Sequence, residues 1–96
     1  MDTSAGLGRA LGHVRNAANA FWDAADPSGE SLFLAADCLD VEGLFSELGV
    51  VPVVVESELD PVVSLARASV ELDSVRAAVP LPVWAAVQAL RARAAR

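Results

Sequence analysis

His13 is the only histidine in this 96-residue chain. Arg9 lies four residues before it and Asn16 three after, so a helix sets all three on one face. A histidine with Arg and Asn beside it suits a small ribonuclease or nucleotidyl-transfer site. General-base or nucleophile work also needs a group that orients the imidazole, and the acids here are distant in sequence. The plainer reading is a histidine at the surface or at the end of a bundle.

Cys38 is the only cysteine, with Asp37 and Asp40 close by. Acids raise a thiol pKa, and a buried cysteine behaves as a small hydrophobe. Cys38 therefore reads as core. Asp37, Asp40 and Glu47 offer oxygens to a hard cation, and Asp37 and Asp40 are neighbours at i, i+3. No rigid loop supplies the further oxygens such a cation needs, so a solvated acidic face is the plainer reading. The spacings Cys-x-x-Cys, His-x-x-x-His and Glu-x-x-His are absent. Gly6, Gly8 and Gly12 imitate a phosphate cradle, but the third spacing is wrong and no strand leads into them. No catalytic residue, metal ligand or cofactor is assigned.

Charge is distributed one-sidedly. Between Asp23 and Asp60 there are ten acids and no Arg or Lys. From residue 61 to 96, five Arg face two acids, and the chain as a whole carries -6. Nucleic-acid binding is disfavoured at that charge, and Arg91, Arg93 and Arg96 read as complements to a helix C-terminus. All seven bases are Arg, while Lys, Ile and Tyr are missing. Those three have AT-rich codons, so the pattern points to a GC-rich bacterial genome. The longest apolar run, residues 77–87, contains two prolines and falls short of the roughly 20 residues of a membrane span. The N-terminal residues lack the basic-then-apolar order of a signal peptide. One cysteine makes no internal disulfide, and the expected compartment is the cytoplasm.

Four helices would position these groups in a single domain, residues 1–96. The first is expected over residues 4–25, because Leu7, Leu11, Val14, Ala18 and Phe21 step by 4, 3, 4, 3. Gly6, Gly8 and Gly12 each weaken its start by about 1 kcal/mol relative to Ala, which predicts fraying or a late beginning. Asp26-Pro27 supplies a cap and a first-turn proline for the second, with Leu34, Cys38, Val41, Phe45 and Leu48 as its stripe and Gly49 as its stop. Asp60-Pro61 repeats that signal for the third, expected to reach about residue 78. Leu81-Pro82 opens the fourth, whose stripe is Val83, Val87, Leu90 and Ala94. Residues 50–55, five Val and Pro52, read as an extended connector lying across the apolar end of the bundle. Pairing of this segment with its copy in a dimer is the alternative. The fold expected is all-α, a four-helix antiparallel bundle with a Val-rich connector between its second and third helices.

The fourth helix is apolar on nearly every side, with Trp84 well off its stripe. A second copy of the chain would cover it, so a homodimer is expected. Trp22 and Trp84 are candidate interface residues. The functional reading is a small acidic, non-catalytic protein–protein interaction module. Asp37, Asp40, Glu47, Glu56, Glu58, Trp22 and Trp84 would meet a basic or apolar protein partner, with no nucleic acid or membrane involved. One alternative is a ligand-binding or catalytic bundle, its pocket lined by Trp22, Phe33, Phe45 and Trp84 with His13 or Arg67 as polar contacts. Another is an antitoxin-like or inhibitor-like acidic mimic of nucleic acid.

Overall fold

Each apolar stripe becomes the buried side of a helix. The structure, a computed structural model, describes residues 3–24, 26 and 28–96. Helices α1 (Thr3–Asp23), α2 (Glu30–Glu47), α3 (Pro61–Ser74) and α4 (Leu81–Ala94) follow in chain order, with a 3-10 turn at Arg76–Ala78. Val14, Phe45, Leu65, Leu72, Val87 and Leu90 meet in one core with Cys38 among them. The protein is all-α, a four-helix bundle.

Helix α1 packs against α2 and α3, and α4 closes the ring by packing against the same two. Side-chain pairs give the directions. Arg9 reaches Glu71 and Arg15 reaches Glu42, while Gln88 donates to Ser69 and Arg93 reaches Asp37. Along α1 and α3, Gly6 sits by Val75 and Arg9 by Glu71, so low numbers meet high ones. The same order holds for Trp84 by Asp73 and Gln88 by Ser69. Neighbouring helices are therefore antiparallel, which leaves α2 and α3 diagonally opposed and pointing the same way.

That diagonal explains the connector. Two successive helices that run the same way need a link as long as a helix, about 27 Å for the 18 residues of α2 at about 1.5 Å each. Extended chain at about 3.3 Å per residue covers this in eight or nine residues. The connector does not lie across an end of the bundle, as expected from its sequence. It runs up the outside of α1 as a strap. The Val53 N–H donates to the Gly8 carbonyl at 3.0 Å, and the Asn16 side chain donates to the Glu56 carbonyl at 3.0 Å.

Gly8 and Gly12 of α1 make this contact possible. A Cβ on Gly8 would stand 2.7 Å from the Val51 oxygen, and one on Gly12 would collide with the Val53 oxygen. Only glycine lets the two backbones approach so closely. The expected fraying is corrected accordingly, since α1 begins at Thr3 and buries Gly6, Gly8 and Gly12. With α2 and α3 at its sides, the core within and the strap outside, α1 is covered along most of its length from Gly6 to Ala18.

The helix ends vary in how they follow the sequence signals. At α3, Asp60 caps by accepting the Val62 N–H at 2.9 Å, with Pro61 in the first turn. At α2 the same dipeptide acts differently. Asp26 accepts the N–H and hydroxyl of Ser28 and the Ser31 N–H, and Gly29 adopts φ 76° before the helix starts at Glu30. Pro27, the expected first helical residue, lies outside the described residues, as do Ala25 and Asp2. Helix α3 stops at Ser74, not near residue 78. The Ser74 hydroxyl bonds the Glu71 carbonyl, and Val75 leaves helical geometry to pack on Gly6.

Candidate interaction surface

His13 sits at the seam of α1 and α3, 8% exposed. It lines an open groove of about 410 Å³ with Val63, Ala66, Arg67, Val70, Glu71 and Arg91. Burial is the main cause that holds its pKa below the usual 6.5, and Arg67 and Arg9 add to this against the opposing charge of Glu71. Helix pairing thus brings an acid close, although sequence showed only distant ones. Glu71 is already bound by Arg9 at 3.0 Å, and among the described residues the His13 Nδ1 has no hydrogen-bond partner. Asn16 is turned to the strap. The three residues that shared a helix face each serve a different neighbour, and no base–orienter pair results. Cys38 is buried, and burial first, then Glu42 and Asp37, push its thiol up to about 12. Among the described residues, no three of His, Cys, Asp and Glu gather as a metal site.

The aromatic pocket does not assemble. Phe45 is fully buried, whereas Trp22 and Phe33 are exposed. Trp84 sits at the far end of the molecule from Trp22, half-buried, where its indole N–H donates to Asp73 and the Arg76 guanidinium lies 4.6 Å from its ring. Of the large apolar residues on α4, Leu81 alone is exposed, so Trp84 and its helix do not offer the bare face expected from the sequence.

The acids divide between two places. On α2, Asp37 is paired with Arg93 at 3.2 Å, while Asp40 and Glu47 are exposed and make no ion pair among the described residues. On the strap, Glu58 is paired with Arg67 at 3.5 Å and also accepts the Asp60 N–H, while the Glu56 side chain faces solvent. Glu42 is paired with Arg15, yet burial outweighs that partner and raises its pKa.

A second stripe on α2 went unread in the sequence. Leu32, Ala36, Leu39, Gly43 and Ser46 also step by 4, 3, 4, 3, about half a turn from the core stripe, and all five are exposed. Leu32 is 53% and Leu39 58% exposed, and Trp22, which shares a groove with Leu39, is 67% exposed. Trp22 and Leu39 line a groove of about 330 Å³ with Ala18, Asn19 and Ala35. The signal was available, because Leu32, Ala36 and Leu39 recur at helical spacing on the side opposite the core stripe. Such a contiguous patch is informative in a way that scattered exposed leucines are not. Asp40 and Glu47 border it on the α4 side, and Glu30 and Asp23 stand exposed near its upper end.

No helix among the described residues is long and apolar enough to cross a membrane. Comparison with protein-family models, curated proteins and solved structures finds no match to this chain.

Proposed function

We propose that the protein is a non-catalytic interaction module of a bacterial cytoplasm that binds a basic protein partner. The observation that carries this reading is the charge left over once the internal pairs are made. Asp37, Glu42 and Glu58 take Arg93, Arg15 and Arg67. Asp40, Glu47 and Glu56 remain exposed, with no base anywhere between residues 23 and 60. Next to the unpaired acids of α2 lies apolar surface that a partner would cover. Acids at a rim steer a basic partner and set its orientation, while apolar contact supplies affinity. An inhibitor that imitates nucleic acid is the special case in which the partner is itself a nucleic-acid-binding protein.

A fluorescein-labelled helical peptide with a leucine stripe and lysines elsewhere is the test, set beside a copy in which glutamate replaces every lysine. The lysine peptide is expected to bind, with affinity falling at least tenfold from low to high salt. Equal binding of the glutamate copy, or binding indifferent to salt, removes the reading.

A further inference from the structure

We infer that the outer face of α2 is the docking site, and that its occupant is an amphipathic helix of another protein, apolar along one side and lysine- or arginine-rich along its edge. This rests on the proposed function and gives it a location and a partner shape. The face is a straight stripe along a helix about 27 Å long. Leu32 and Leu39 stand up from it. Ala36 between them and Gly43 beyond Leu39 leave depressions, and nothing lies within 4 Å of a Cβ placed at Gly43. Trp22 walls the side toward α1. Ridges and hollows at this spacing accept the side chains of another helix, with axes about 8–10 Å apart. An extended peptide, whose side chains alternate at a period of two, has no matching register.

Charge selects the occupant. Asp40 and Glu47 lie roughly 60–80° round the helix from the stripe, both on the side toward α4. Arg15 and Arg93, the bases that pair with α2, are held by Glu42 and Asp37. A helix in the groove therefore meets the unpaired acids Asp40 and Glu47 along one edge. A second copy of this chain suits the face poorly. An antiparallel twofold pairing centred on Leu39 turns the same edge of both helices toward each other, which sets Asp40 beside the Asp40 of the copy. Like charges placed so closely disfavour the pairing.

The experiment uses the lysine–leucine peptide, a scrambled peptide of identical composition with no apolar side, and the full chain in two altered forms. Ala36→Arg and Gly43→Arg block the stripe at exposed positions, and each is checked for a melting temperature no lower than that of the wild type. Asp40→Lys with Glu47→Lys reverses the edge without touching the stripe. The expected result is that the ordered peptide binds at least tenfold more tightly than the scrambled one. Either arginine substitution and the double reversal should each weaken it at least tenfold. Salt-dependent binding of both peptides alike, unaffected by Ala36→Arg and Gly43→Arg, overturns the docking site while leaving an acidic module intact. Absence of any binding removes both proposals. A dimer of wild-type chain that Ala36→Arg converts to monomer assigns the face to a second copy and overturns the partner named here.

Discussion

His13 is held neutral by burial, and this gives stability a pH dependence that belongs to one residue. Its folded pKa lies below 6.5, so well above pH 6.5 the ring is neutral in both folded and unfolded chains. As pH falls below 6.5 the unfolded chain takes up a proton that the folded one resists, and stability declines until the folded pKa is passed. No other side chain has an ordinary pKa in that window. His13→Leu is expected to reduce the loss of melting temperature between pH 7 and pH 5.5. A wild-type curve already flat over that interval contradicts the burial argument. His13 also marks a limit of sequence reading. Its partners Arg67 and Glu71 come from a helix more than fifty residues away, brought in by the register of α1 on α3. Apolar stripes fix which face of a helix turns inward, but they leave axial register open.

At the scale of elements, the glycines of α1 and α2 make opposite predictions for the same substitution. Helix propensity alone favours Gly→Ala by about 1 kcal/mol. At Gly43 a Cβ meets open space, so Gly43→Ala is expected to stabilise the protein by about that amount. At Gly12 the new carbon falls on the Val53 oxygen. Overpacking of this kind costs about 1–3 kcal/mol, enough to cancel or reverse the gain. Denaturant unfolding of the two variants should separate them by 1 kcal/mol or more, and a Gly12→Ala protein as stable as Gly43→Ala would show that the strap does not bear on α1. The helices themselves were legible because each carries a stripe, and Asp60-Pro61 caps α3 as its residues foretold. Asp26-Pro27 reads identically but is followed by Ser28 and Gly29. The Ser28 hydroxyl, ahead of the Ser31 and Ser28 N–H groups, holds the Asp26 carboxyl at about 2, and a left-handed Gly29 delays α2 to Glu30. The strap was legible as extended chain, yet its course was not, since local sequence does not show that α2 and α3 run the same way.

For the whole molecule, area and charge pull apart. The exposed surface is 5467 Å², close to the roughly 5,200 Å² typical of a monomer of this mass. Nothing about its extent demands a second copy. The apolar stripe on α2 favours contact between copies, while a net charge of -6 keeps them apart. Salt weakens only the second effect. Light scattering is expected to give a mass near 10.0 kDa at low salt and a rising average at high salt. A stable mass of twice that at low salt would mean that self-association wins without help, as the homodimer expected from the last helix requires. The site was half legible. The acids were found by counting, but exposure and pairing divided them. Trp22 proved to be the bare tryptophan and Trp84 the covered one, a difference set by Asp73 and Arg76 arriving from α3 and its following turn.

The strap and the helix beneath it also keep separate clocks. Among the described residues the amide of Val54 has no acceptor, and its side chain is 99% exposed. Its hydrogen can be exchanged for deuterium without any part of the fold opening. The Val53 amide donates to the Gly8 carbonyl beneath it, in a cover that two hydrogen bonds and a few valine contacts hold down. Deuterium uptake at Val53 therefore times the lifting of the strap, while uptake at Val14, a helical amide on the core side of α1, times the parting of the bundle. The gap between the two rates measures how independently the outer layer of this fold moves from its core.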